Sequence, residues 1–266
     1  ARFGREMAGT MLDVDDLDVL CIPVEEKTDL FRLWLHWRNR VWAESNEKFR
    51  AALREVDQEI VFLANVQFGD SKGWGKRSWA RSCDLQLRYV DIVKSEAKSK
   101  AYTPIEVSKK TLLGKALGGG RAVWNYLGTF DTDDLDRRTL RSAEWIEDAF
   151  AGSLASGAQP YVLAYGFLDP SPSLDLLRKA MQLTRRYNED CKGAARWTTV
   201  ASVFTTRMRT FGRGPIYPPH LDALREAQIP VQPLLEADLP ESDLKRYEAI
   251  VADGVTCLTE DEVEVL

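Results

Sequence analysis

Histidine and cysteine are scarce in this chain: two histidines, His36 and His220, and four widely spaced cysteines, Cys21, Cys83, Cys191 and Cys257, in 266 residues. No CxxC pair occurs, so a zinc site is not expected. Reduced, mostly buried thiols are the expectation, which favours a cytoplasmic protein. No apolar run approaches the roughly 18 residues that span a bilayer, so no membrane partner is expected, and no signal peptide is visible. An excess of positive charge is missing too. The formal net charge is −5, which argues against a nucleic-acid partner, because phosphate binding needs a basic face. The local clusters Arg137, Arg138, Arg141 and Arg185, Arg186 read as solvated helix surface. There is also no glycine-rich loop between a strand and a helix. Gly118–Gly120 follows a helix and precedes a strand, which is the order of a C-cap and not of a phosphate cradle. A nucleotide-binding doubly wound protein is disfavoured on that ground.

The remaining composition is that of a globular α/β chain, with 44% hydrophobic and 29% charged residues, enough to bury a sizeable core. Four apolar segments end on polar, acidic or aromatic residues and are each followed by an amphipathic helix: Ile60–Asn65, Leu87–Glu96, Arg121–Tyr126 and Pro160–Asp169. Repeated strand-then-helix units call for a parallel sheet with crossover helices. The spacing suits a (β/α)8 barrel and also an open doubly wound sheet, and periodicity alone does not separate them. In either, chemistry sits at the carboxyl ends of the strands, so Asn65, Glu96, Asn125 and Tyr165 are expected to converge. The helices expected between them are Asp29–Val56, Ile105–Leu117, Arg138–Ser156 and one capped by Ser173 that runs to Asp190. The first would bury a stripe of Leu30, Leu33, Trp34, Trp37, Val41, Phe49 and Leu53. From about Lys192 the texture changes, and a second, flavodoxin-like unit follows. The chain begins without Met, inside an apparent helix Ala1–Ala8, and stops partway through another, so a fragment is expected.

Each candidate site residue has a functional and a structural reading. Glu96 ends an apolar strand, where a carboxylate would face a pocket, or it is a solvated Glu in the Lys/Glu-rich stretch Lys94–Lys100. Asp91, inside the same strand, would hold Glu96 or a ligand, or be a buried hydrogen-bonded Asp. Asn65 suits ligand hydroxyls, donating and accepting at once, or forms a turn. Trp124 offers a face for ligand C–H groups, with Asn125 beside it, or packs in the core. Tyr165 would hydrogen-bond substrate, while Asp169, before Pro170, reads as a turn residue. His220, after Pro218 and Pro219, lies at a helix start outside this pocket.

The closing stretch "LDALREAQIPVQPLLEADL" and then "LKRYEAIVADGVTCLTEDEVEVL" resembles the class I glutamine-amidotransferase-like domain that follows the barrel in β-galactosidase-type glycoside hydrolases, often called the trimerisation domain. "LRKAMQLTRRYNEDCKGAARWTTVASVFTT" looks like the last barrel helix and the linking strand. "DLFRLWLHWRNRVWAESNEKFRAALREVDQEIVFLAN" looks like a barrel helix before a strand ending in Asn. The resemblance implies that residues 1–190 are the C-terminal half of a (β/α)8 barrel and that residues 195–266 begin an incomplete amidotransferase-like domain. It implies glycosidic-bond hydrolysis by a carboxylate pair, a carbohydrate substrate, no metal or organic cofactor, and a homo-oligomer as an option raised by the second domain. Glu96 would supply one carboxyl group, with Asn65, Asp91, Trp124, Asn125 and Tyr165 binding substrate. Two departures matter. "VTCLTED" around Cys257 is not a Gly-flanked nucleophile turn, so a non-catalytic second domain is expected. The barrel strands that usually carry the acid/base residue precede Ala1, so the second carboxylate is expected outside the chain. The alternative is a non-catalytic sugar-binding or oligomerisation module.

Overall fold

The structure, a computed structural model, describes residues 29–63, 87–97, 102–128, 141–162, 172–194, 197–206, 217–255 and 258–266. Helix α1 (Asp29–Val56) leads to β1 (Ile92–Ala97), α2 (Pro104–Leu117), β2 (Ala122–Leu127), α3 (Ala143–Ala155), β3 (Ala158–Tyr161) and α4 (Pro172–Asp190). The later part holds β4 (Val200–Phe204), α5 (Leu221–Glu226), β5 (Val231–Leu235), 3-10 turns at Glu236–Glu241 and Leu244–Arg246, β6 (Ala249–Val251) and α6 (Glu260–Glu264).

The strands form two parallel sheets with different windings. The first has the order β1-β2-β3, each strand laid beside its predecessor in one direction, as in a barrel wall. The second has the order β5-β4-β6. There the second strand lies on one side of the first and the third on the other, the flavodoxin-like reversal. The two sheets thus differ in strand order, sequential in the first and reversed about its first strand in the second.

Local chemistry explains the helix boundaries. Thr103 caps α2, accepting from Glu106 N, while Glu106 accepts in return from Thr103 N, and Pro104 fills the first helical position. Ser142 caps α3 through Trp145 N. Gly157 links α3 to β3 at φ +82°, a left-handed conformation in which any L side chain is strained.

Helix α2 lies between the two sheets. Leu112, Leu113 and Ala116 join Val93 and Val123 of the first sheet, Phe204, Val231 and Leu235 of the second and Leu221 of α5 in one buried cluster. Each fully buried leucine there contributes about 2 kcal/mol. The Lys109–Asp222 ion pair, 2.8 Å, ties α2 to α5 at the edge of this core.

Several sequence expectations need correction. Within Ile60–Asn65, Ile60–Leu63 carries no strand, and Asn65 lies outside the described residues. The second apolar segment begins its ladder at Ile92, because Leu87–Tyr89 is a helical turn with Val90 N bonded to Leu87 O. The fourth strand is Ala158–Tyr161, and Leu163–Asp169 lies outside the described residues. Helix α4 starts at Pro172, so Ser173 is inside it and not its cap. The α1 stripe also fails toward its end. Trp34 is buried, but Phe49 and Leu53 are 66% and 36% exposed, while Asn39, Ala43 and Asn46 are turned inward. Cys191 is an exposed free thiol, and Cys21, Cys83 and Cys257, on which the expectation of mostly buried thiols also rests, lie outside the described residues.

Candidate functional site

Side chains alternate across a strand, and burial shows which face each takes. Val93, Ser95 and Ala97 of β1 and Val123, Asn125 and Leu127 of β2 are buried toward the helices. Lys94, Glu96, Trp124 and Tyr126 therefore point to the opposite face. Register puts Lys94 beside Trp124 and Glu96 beside Tyr126, and Tyr126 beside Tyr161 of β3. The rings pack together: Tyr126 and Tyr161 have centroids 5.5 Å apart, and Trp124 and Tyr161 are 6.2 Å apart. Trp124 is 41% exposed. The Lys94 ammonium contacts Glu96 Oε1 at 2.6 Å, with both side chains largely buried. A carboxylate, an ammonium and three aromatic rings thus share one sheet face toward its carboxyl end.

The end of β1 is held from behind. Lys110, buried on α2, donates to the Glu96 carbonyl and to Tyr102 Oη at 3.2 Å, with its ammonium 4.8 Å from the Tyr102 ring centre. Gly128 N donates to Ala97 O at 3.1 Å and carries the pairing one step past β2.

Asp91 does not belong to this face. It precedes β1, five residues from Glu96, and at strand rise the two lie about 16 Å apart, too far to touch. Arg50 donates to Asp91 Oδ1 through Nε at 3.1 Å and Nη2 at 2.7 Å, and Arg54 Nη2 donates at 2.9 Å. Phe62 N donates to Oδ2 at 2.8 Å, and Asp91 N returns a bond to Phe62 O at 2.8 Å. Burial alone would raise the Asp91 pKa. The Phe62 N–H, Arg50 and Arg54 together outweigh it and leave the carboxyl below its ordinary value. Asp91 anchors α1 and the Phe62 segment to the start of β1.

Asn125 is also misplaced by the sequence reading. It is fully buried on the helix side, donating through Nδ2 to Thr111 Oγ1 and Ser153 Oγ, each at 2.9 Å. Adjacent strand residues cannot share a face, so Trp124 excludes Asn125 from the site. Asn65 and Tyr165 lie outside the described residues. Of the sequence-derived candidates, Glu96 and Trp124 are brought together. Lys94, Tyr126 and Tyr161 complete the face. The first two are legible as the same-face neighbours of Glu96 and Trp124 at period two, whereas Tyr161 requires the register of β3.

In the second sheet, His220 sits at the N-terminus of α5 with Nε2 2.7 Å from Ser202 Oγ. Burial pushes the imidazole pKa below the usual histidine value, against a smaller opposing pull from Asp253. Ser202 is fully buried in the middle of β4, so the contact is structural. Among the described residues no group of three or more His, Cys, Asp or Glu is placed to hold a metal ion, and no helix is long and apolar enough to cross a membrane.

The fold is mixed α/β with parallel sheets, the order β1-β2-β3 fitting a (β/α)8 barrel wall and the order β5-β4-β6 a flavodoxin-like sheet. Solved structures share it. A catalytic mutant of Gan42B, a GH42 β-galactosidase from G. stearothermophilus, matches 95% of this chain with a TM-score of 0.69 at 13% identity. A β-galactosidase from the psychrophilic Marinomonas ef1 matches 99% with a TM-score of 0.65 at 10% identity. Another structure of Gan42B matches 94% with a TM-score of 0.62 at 12% identity. The chain spans 42–47% of the length of these structures. No family model matches the chain, and no curated protein matches it.

Proposed function

We infer that this chain is part of a glycoside hydrolase-like protein that handles carbohydrate at the carboxyl-end face of its first sheet. The observation that carries this reading is the joint presence of Glu96, Trp124, Tyr126 and Tyr161 on that face. Aromatic rings offer apolar surface to sugar C–H groups, and a carboxylate beside them can act on a glycosidic carbon or its attacking water. The fold shared with β-galactosidases supports it and makes a β-galactoside the first substrate to try. Residues 1–190 serve as the barrel portion and residues 195–266 as an amidotransferase-like domain whose part is structural and, as an option, oligomeric. Glu96 is one of the two carboxyl groups the reaction needs, and the other lies outside the described residues of this face.

A second reading, sugar binding without cleavage, is favoured by one specific contact. Glu96 is the only carboxylate on the described face, and Lys94 pairs with it. An aryl-glycoside panel with Glu96→Gln alongside separates the two. Cleavage lost in the variant, with binding retained, supports hydrolysis. Turnover unchanged in Glu96→Gln removes Glu96 from the mechanism. Binding with no turnover by the unsubstituted protein leaves the binding module.

A further inference from the structure

We propose that Lys94 is the positioning residue of this site: it holds Glu96 as a carboxylate, so that Glu96 takes the anionic part in cleavage and a different group donates the proton to the leaving oxygen. The inference rests on the reading of Glu96 just given and goes further, because it assigns which of the two carboxyl roles Glu96 fills. The geometry carries it. Lys94 and Glu96 are two residues apart on β1, hence on one face, and Lys94 Nζ lies 2.6 Å from Glu96 Oε1. Both side chains are largely withdrawn from solvent, at 16% and 10% exposure, so water screens the pair little. An adjacent positive charge favours the ionised carboxyl group. Among the described residues, β2 sets the Tyr126 ring and β3 the Tyr161 ring on this face, and Lys110 of α2 reaches the Glu96 carbonyl. A protonated acid placed to donate is raised in pKa by apolar burial or a like charge. The Lys94 contact works in the opposite direction.

The chemistry balances on these terms. The glycosidic C–O bond breaks with its electron pair going to the leaving oxygen, which takes a proton from the separate acid. Glu96 either gives an electron pair to the anomeric carbon, forming an ester that water later hydrolyses, or takes a proton from the water that attacks that carbon.

The test is a pH titration of the Glu96 carboxyl carbon by NMR in protein labelled at glutamate Cδ, with the signal assigned by its loss in Glu96→Gln. The expected midpoint lies below the ordinary glutamate value of about 4.3. Lys94→Met should raise it by about one to three pH units, and Lys94→Arg should restore most of the shift. Lys94→Gln provides a polar alternative to the methionine variant, and the titration of the unsubstituted protein is decisive without any variant. A midpoint above the ordinary value, or one that Lys94→Met and Lys94→Gln leave in place, overturns the proposal. With a glycoside that the protein cleaves, the acid limb of kcat/KM should move with the titration in the methionine variant and return in the arginine variant. A titration that shifts as expected while no glycoside is turned over overturns the cleavage reading alone and leaves the hold of Lys94 on the carboxylate in place.

Discussion

Asp91 is where the placement of the site strand can be measured. Its carboxylate gathers three arginine N–H bonds from Arg50 and Arg54 and one from the Phe62 backbone, at 2.7–3.1 Å. Asp91→Ala removes all four. The arginine side chains are 31% and 37% exposed and rehydrate when released, so each contact counts as a partly screened pair worth a few tenths of a kcal/mol to about 1 kcal/mol. The Phe62 N–H loses its acceptor at a cost of about 1 kcal/mol. Together these give about 2 kcal/mol for alanine. Asn at this position keeps an acceptor for Phe62 and loses the charge, at a cost of about 1 kcal/mol. Hydrogen exchange of the α1 amides around Arg50–Val56 reads this local anchoring directly, since those turns open without global unfolding. The expected loss of protection is about 30-fold in Asp91→Ala and about fivefold in Asp91→Asn.

The pH dependence supplies the sign. Asp91 titrates below its ordinary value in the folded chain. Its contribution is therefore complete above the unfolded carboxylate value of about 3.9 and disappears as pH falls through the lower folded value. The difference in protection between Asp91→Ala and the unsubstituted protein should be flat from about pH 8 to about pH 5 and close in strong acid. Equal protection at neutral pH, or a difference that survives unchanged to about pH 2, refutes the anchoring argument.

Two more outcomes follow from the same structure. Trp124→Ala should weaken the tightest-binding glycoside of the panel by about three- to tenfold in calorimetry, with the circular dichroism spectrum unchanged; equal affinity would take the indole out of the sugar surface. His220, held neutral by burial against Ser202, contributes stability above its unfolded value of about 6.5 that is lost as pH falls below it. Thermal melts should therefore drop more between about pH 7.5 and about pH 5 in the unsubstituted protein than in His220→Gln, and parallel curves would count against that role.

The two architectures were legible in the sequence to different depths. The apolar run marked β2 closely, because Val123 and Leu127 are buried against the helices while Trp124 and Tyr126 carry rings on the other face. The same logic overextended β1 backward. Leu87 and Val90 are fully buried, yet they sit in a turn, and burial by itself does not distinguish turn from strand. Asp91, which follows the turn, has arginine partners 37 and 41 residues away, a distance over which no local pattern carries information. Phe49 and Leu53 fit the apolar stripe of α1, while Arg50 and Arg54, one helical turn apart, point toward that distant acid instead.

The site was partly readable because alternation is a local rule. Once Trp124 is placed on one face, Asn125 must take the other, and the structure supplies it with Thr111 and Ser153 as hydrogen-bond partners there. The same rule puts Lys94 with Glu96. Those two residues were adjacent in the reading that took Lys94–Lys100 for solvated charge and the reading that took Glu96 for a catalytic group. The ion pair belongs wholly to neither: the charges are withdrawn from water, as a functional carboxylate would be, and they are matched, as structural charges are. A buried pair of this kind is weak evidence of stability, because desolvation offsets much of the Coulomb attraction. A need for a fixed, ionised carboxylate on a face lined with rings would account for placing both charges there, and the Glu96 titration tests that account against simple packing.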